Sequence, residues 1–235
     1  MRLTVRWMEH ECRVEVPEPA GVEVRNLLAG FEVVTATAAA SDPPDVRVAP
    51  DDPEVAFTLE HEVVLHLLRS DTGRTHLHAA AAALPGGGAI LALGPSGAGK
   101  STLAHAWCDL GRPVHGDDVV VLDDHGVHPF PRLLKLGGSD GDLAVDPAPL
   151  CGWGAPGAPV RRIAVVQWVR GASLTVEPLD TVTVLRALTA SLHATGAPPE
   201  ESLERLIRVA ESASAYRVEY GDARAAARAL LDDAR

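Results

Sequence analysis

Gly94-Pro-Ser-Gly-Ala-Gly-Lys-Ser101 is a complete GxxxxGK[ST] loop. It lies between an apolar run at 89–93 and a segment, 101–110, that places Leu103, Ala106, Trp107 and Leu110 on one helical face. Strand, glycine-rich loop and helix in that order make a phosphate cradle. The glycines let successive N–H groups turn inward, and the helix N-terminus adds positive partial charge. In such a loop Gly94, Pro95, Ser96, Gly97, Ala98 and Gly99 surround the phosphates, and Lys100 reaches the β and γ phosphates. Ser101 then binds Mg²⁺, and Thr102 reaches the α-phosphate. The chain therefore reads as a nucleoside triphosphate binder. No NKxD guanine-reading motif follows, which favours ATP, and no LSGGQ-type sequence occurs, which argues against a transporter ATPase.

Working outward, the next informative stretch is His115-Gly-Asp-Asp-Val-Val-Val-Leu122. Two adjacent aspartates, Asp117 and Asp118, open what reads as a strand, and neighbouring side chains of a strand face opposite sides. They can thus divide roles, one holding Mg²⁺ and the other accepting a proton from an attacking hydroxyl. Asp123-Asp124-His125-Gly126 lies between apolar runs and reads instead as a hairpin turn. His76 and His78 are spaced to share one strand face, but no third ligand supports them, so a zinc site is not expected.

Composition narrows the class. The chain has 235 residues, 46% of them hydrophobic, and a net charge of −11, which argues against a nucleic-acid partner. Nineteen arginines accompany only two lysines, Lys100 and Lys135, which marks both as places where a compact point charge serves better than a planar fork. Cys12, Cys108 and Cys151 are far apart and form no CxxC pair. Neither a disulfide framework nor a thiolate metal site is expected, in keeping with a reducing cytoplasm. The N-terminus shows no signal-peptide pattern, and the most apolar window, 79–93, is broken at 85–88 by Pro-Gly-Gly-Gly, so no membrane span is expected. The reading is a soluble, cytoplasmic protein.

Two domains are expected. Residues 1–57 form a small β-rich N-terminal lobe with strands near 3–7, 12–16 and 31–35, bounded by a loop at 41–53 with four prolines and four aspartates. Residues 58–235 then follow an α/β pattern: a short helix at 59–68, one buried strand at 76–84 and another at 89–93, and strands at 119–122, 163–169 and 215–220. Helices are expected at 181–192, at 203–213 and after Asp222, a capping residue. Residues 136–159 hold six glycines and four prolines, and 137–159 is expected to be an irregular flap over the acceptor, with Trp153 offering a face. Arg132, Lys135, Arg161 and Arg162 are candidates to meet a carboxylate-bearing acceptor.

Around these motifs the chain resembles the HPr kinase/phosphorylase catalytic domain and its smaller relatives, including kinases of lasso-peptide-type precursors. Ser96-Gly-Ala-Gly-Lys-Ser101 fits the family loop, and Asp117 and Asp118 follow Lys100 by the family's seventeen and eighteen residues. His78 falls on the family histidine that precedes the hairpin. The resemblance implies an α/β P-loop kinase core of the HPr kinase C-terminal-domain type. It implies an ATP- and Mg²⁺-dependent phosphotransferase acting on a serine hydroxyl of a precursor peptide or small protein. On that reading Asp117 takes the hydroxyl proton, His78 holds Asp117, Lys100 neutralises the transferred group, and Ser101 and Asp118 support the metal. The family's glutamate-arginine-glycine signature has no counterpart between Lys135 and Arg162, which disfavours HPr itself as substrate. Two other readings stay open: a kinase of a free small molecule such as serine, and an ATP-binding regulatory module with slow ATPase activity. Self-association into a homo-oligomer is also left open.

Overall fold

The first unit, Met1–Thr72, grows from a hairpin. Strands β1 (Arg2–Trp7) and β2 (His10–Glu15) pair antiparallel with Trp7 opposite His10. Leu3, Val5 and Trp7 point inward while Arg2 and Arg6 face solvent, the alternation of a sheet buried on one side. A helix unforeseen in the sequence, α1 (Gly21–Leu27), precedes β3 (Glu32–Thr35), which pairs with β1. The short β4 (Val46–Arg47) runs parallel to β2, giving the order β3-β1-β2-β4. Helix α2 (Val55–Ser70) buries Leu59, Val63, Val64 and Leu67 within this unit, against α1 and β2. The expected boundary after residue 57 therefore moves to Thr72. A sixteen-residue helix with a continuous apolar stripe packs with the sheet before it. The computed structural model describes residues 1–35, 43–49, 54–136 and 143–232, so residues 41, 42 and 50–53 of the expected loop lie outside the described residues, and the part between them carries β4.

The second unit, Gly73–Arg235, carries the glycine-rich loop. The segment read as one strand at 76–84 is two, β5 (Thr75–Leu77) and β6 (Ala80–Ala83), which join different sheets. β7 (Ala89–Leu93) returns antiparallel to β6, and the loop then enters α3 (Lys100–Asp109). β8 (Val114–Gly116) pairs with β6, and β9 (Val120–Leu122) crosses to pair with β5. The hairpin expected at Asp123 is present, leading to β10 (Val127–His128), with Asp123 Oδ1 accepting from the His125 and Gly126 amides. β11 (Leu134–Leu136) and β12 (Leu143–Val145) pair antiparallel. β13 (Val160–Trp168) lies parallel to β7, followed by β14 (Thr175–Pro178), α4 (Thr181–Ala190), β15 (Leu192–Gly196) and α5 (Pro199–Ser212). β16 (Ser214–Tyr220) runs parallel to β13, and Asp222 caps α6 (Ala223–Leu231) as anticipated, accepting from the Arg224 and Ala225 amides.

The result is a mixed α/β arrangement of a six-stranded sheet, β14-β16-β13-β7-β6-β8, and a four-stranded sheet, β10-β9-β5-β15. Alternate residues of β6 and β7 feed two cores. Ala80, Ala82, Ile90 and Ala92 pack with Leu103 and Trp107 of α3 and Leu230 of α6. Ala81, Leu91 and Leu93 pack with Leu77, Val120 and Leu122 of the other sheet and with Leu188 and Leu206. The alanines leave room for Trp107, which is fully buried. Removing a ring of that size from such a site costs ~3–5 kcal/mol.

Two expectations are corrected. Cys108, on α3, forms a disulfide with Cys151, with Cα atoms 5.2 Å apart. The pairing was invisible in the spacing, because only the turn that folds Cys151 and Gly152 back onto the Pro147 carbonyl returns the second cysteine to α3. Nor is 137–159 simply an irregular flap. Residues 137–142 lie outside the described residues, but β12 is regular and Trp153 packs half-buried against the α3 core, bridged to Val114. Among the described residues no helix is long and apolar enough to cross a membrane.

Candidate active site

Gly99 fixes the loop. Its φ is +96°, and a Cβ there would lie 2.2 Å from the Tyr220 hydroxyl and 3.0 Å from Trp168 Cβ, so only glycine fits. The same neighbours hold the loop from outside: Tyr220 donates to the Gly99 carbonyl at 2.8 Å, and the Trp168 amide to the Ala98 carbonyl at 2.9 Å. Lys100 is buried, and its Nζ donates to the Gly94 and Pro95 carbonyls at 2.9 and 3.1 Å. Burial lowers its pKa, and the nearby Asp117 and Asp118 carboxylates oppose that shift.

A cavity of about 360 Å³ opens on this loop. Ser96, Gly97, Gly99, Lys100, Ser101 and Thr102 line one side, and His78, Asp118 and Lys135 line the other. The two aspartates do not alternate on a strand. β8 ends at Gly116, β9 begins at Val120, and between them the chain makes a tight turn in which a Cβ on Gly116 would lie 2.1 Å from the Val119 carbonyl oxygen. Asp118 has φ +72°, in the left-handed region. That turn sends Asp117 inward and Asp118 into the cavity.

Their surroundings differ accordingly. Asp117 is 2% exposed, takes a hydrogen bond from Ser101 and a long one from the Lys135 amide at 3.4 Å, and leaves Oδ1 buried with no hydrogen-bond partner. Burial is the main cause that pushes its pKa up to about 6, with Ser101 and the Lys135 amide opposing. Asp118 accepts from His78 Nδ1 at 2.9 Å on one oxygen and from Arg132 Nη1 on the other. His78 therefore pairs with Asp118, not with Asp117 as the sequence reading had it. The chain curls after Gly116, and β5 ends opposite the cavity-facing carboxylate.

The other candidates separate. Arg132 is buried on Asp118, and Lys135 lines the cavity. Arg162 is instead a structural cap that donates to the Leu230 and Asp232 carbonyls at the C-terminal end of α6, and Arg161 lines a different cavity beside Pro85. Trp153 belongs to the α3 core. His76 is buried on Thr195, with no metal grouping around it among the described residues. Sequence reasoning missed His193 of β15, whose ring meets that of His78 edge to face with centroids 6.1 Å apart, and the Tyr220 and Trp168 contacts to the loop. No local pattern marks these three, because each reaches the site through sheet pairing.

No family model matches the chain, and no curated protein matches it. Among solved structures the chain is similar to the Hpr(Ser) kinase/phosphatase from Coxiella burnetii, with 14% identity and a TM-score of 0.38 over 66% of this chain and 93% of that one.

Proposed function

We propose that this chain is an ATP- and Mg²⁺-dependent phosphotransferase with a P-loop kinase core, acting on a hydroxyl. The observation that carries the reading is one cavity lined both by the loop residues Lys100, Ser101 and Thr102 and by a carboxylate, Asp118, fixed by His78 and Arg132. A nucleotide-binding module has no need of a carboxylate at that place. A base must reach the acceptor hydroxyl, and of the two aspartates only Asp118 lines the cavity. The roles first assigned from the sequence are thus exchanged: Asp118 accepts the proton, and Asp117 stands on the metal side with Ser101.

Asp117 and Ser101 suit a hard divalent cation, since Asp117 offers a buried oxygen without a hydrogen-bond partner beside a hydroxyl. Mg²⁺ bound there would neutralise phosphate charge. Lys100 and the loop amides hold the β and γ phosphates in line with the acceptor. The acceptor oxygen bonds to the γ-phosphorus, the bond to the β-phosphate oxygen breaks to leave ADP, and the hydroxyl proton passes to Asp118. The acceptor we propose is a serine hydroxyl of a peptide or small protein, and Lys135 at the cavity wall suits an anionic group on it. Mass spectrometry of serine-containing peptides, and of free serine, incubated with the protein, ATP and Mg²⁺ tests this. One added phosphate on a peptide supports it, phosphoserine moves the acceptor to a small molecule, and ADP release without any phosphorylated product favours the regulatory module.

A further inference from the structure

The first unit holds a side-chain cluster that the phosphate site does not use. Cys12, Asp45 and His66 each present one donor atom, and the three atoms lie within 4.8 Å of one another. They come from three places within Met1–Thr72: Cys12 from β2, Asp45 from the position before β4, and His66 from α2. Cys12 and Val14 are two residues apart on β2, so they share its buried face, and Cys12 is fully buried. His66 stands three residues after Val63 and seven after Leu59, at the edge of the stripe that α2 packs against β2.

Asp45 is held by both its main chain and its side chain. Its amide donates to the Arg13 carbonyl at 2.8 Å. Its carboxylate accepts from the Arg13 amide at 2.8 Å and from Nε and Nη2 of the same residue at 3.1 and 2.9 Å. Those bonds occupy three of the roughly four lone-pair sites of a carboxylate. They orient Asp45 and leave it able to take one more partner, as hydrogen-bonded metal ligands do. A buried cysteine alone is ordinary packing. One set against an imidazole and an oriented carboxylate completes the donor set of a cation site. Thiolate, imidazole and carboxylate are all ligands of Zn²⁺. A tetrahedral ion with bonds of about 2.0–2.3 Å spaces its ligand atoms about 3.4–3.6 Å apart, so small side-chain rotations close the set. Asp45 and His66 are accessible to solvent, which gives an ion its way in and water the fourth position.

We propose that Cys12, Asp45 and His66 form a zinc site that ties β2, α2 and the approach to β4 together. On binding, the Cys12 proton leaves to solvent and the sulfur coordinates as thiolate. The test uses the full chain, stripped with chelator and kept free of reductant. Cys108 and Cys151 then stay joined, and Cys12 is the remaining thiol. Co²⁺ is the probe, because it occupies zinc sites and reports its ligands by colour. One equivalent should give a sulfur-to-cobalt charge-transfer band in the near ultraviolet and tetrahedral bands in the visible. One equivalent of Zn²⁺ should bleach both, and Cys12→Ser should lose the charge-transfer band. Since Cys12 is a core position, His66→Gln and Asp45→Asn carry the decision at accessible ones. Each should weaken Zn²⁺ binding at least about tenfold in competition with a chromophoric chelator, with the circular dichroism of the metal-free protein unchanged. Absence of the charge-transfer band in wild type, or unaltered Zn²⁺ affinity in either variant, would overturn the proposal. So would Zn²⁺ binding that survives Cys12→Ser undiminished, which would place the ion at the second cluster of this unit, Glu9, His10 and Asp71.

Discussion

The loop at 94–101 and the turn at 116–119 face each other across one cavity, and both depend on left-handed backbone. They reach it differently. In the loop, glycine occupies the positions at 94, 97 and 99 where φ is positive, so residue type itself permits the shape. In the turn, only Gly116 relieves crowding, and the left-handed position is filled by Asp118, held by His78 and Arg132 from elsewhere in the fold. One half of the site is written locally and the other is imposed by tertiary contacts. Local encoding makes the loop tolerant of change at a distance, and imposed geometry makes the turn sensitive to it.

The largest loss should come from Lys100→Ala, which damages the loop half alone. It removes the cation that meets the phosphates and also the two hydrogen bonds to the Gly94 and Pro95 carbonyls. Transfer should fall by roughly 10³-fold or more, with a clear loss of ATP affinity, since the charge acts in both ground and transition states. Titration calorimetry with ATP and a turnover assay check both. Asp118→Asn damages the other half. The substitution keeps size and one accepting oxygen, enough for Arg132 or His78 but not both, and removes the charge and the base. Turnover should fall by roughly 10²–10⁴-fold while ATP affinity stays within a few fold. A matching loss of ATP affinity would show the two halves to be one binding unit.

That contrast also explains what could be read from the sequence. The strand, loop and α3 were legible because glycine spacing and a helical apolar stripe are local signals. So were α4, α5, β16 and the Asp222 cap. Asp117 and Asp118 were legible as a pair, but not their division, since their opposed directions come from a turn between two sheets rather than from strand alternation. The split of β5 from β6 was hidden within one mostly apolar run, where all but His78 and Ala83 are buried and periodicity carries no phase. Cys108 and Cys151 meet only because the 147–152 turn folds back on α3. Tyr220 reaches the loop, and the His193 ring reaches His78, across sheet pairings that no spacing in the chain records.

Gly99→Ala tests how firmly the loop's shape rests on residue type. The methyl would overlap the Tyr220 hydroxyl in a backbone that already disfavours it. A destabilisation of roughly 3–5 kcal/mol is expected, combining left-handed strain with overpacking. Pairing it with Tyr220→Phe sharpens the point, because the nearest clashing atom is then gone. The double variant should recover part of the loss in a denaturant melt, leaving the backbone share behind. Strict additivity of the two changes would mean that Tyr220 does not define the loop.

The smallest effect, and the one of opposite sign, belongs to Asp117→Asn. Burial raises the Asp117 pKa from 3.8 to about 6 in the folded protein. The folded state therefore binds the proton more tightly than the unfolded chain. The stabilisation from that proton is fully present below the unfolded pKa and is lost as pH rises through about 6. At pH 8 the folded protein carries a buried carboxylate at a cost of up to about 3 kcal/mol, taking 1.36 kcal/mol for each pKa unit. Asparagine keeps an acceptor for Ser101 and removes that charge. In metal-free buffer at pH 8 the variant should melt above wild type, by up to about 6–12 °C at 2–4 °C per kcal/mol for a chain of this size. At pH 4 the two should melt together. Added Mg²⁺ should then narrow or reverse the gap at pH 8, since only the carboxylate gains a partner. A variant less stable than wild type at pH 8 without metal would mean that Asp117 is satisfied by the fold alone, and would remove the argument that places it on the metal side.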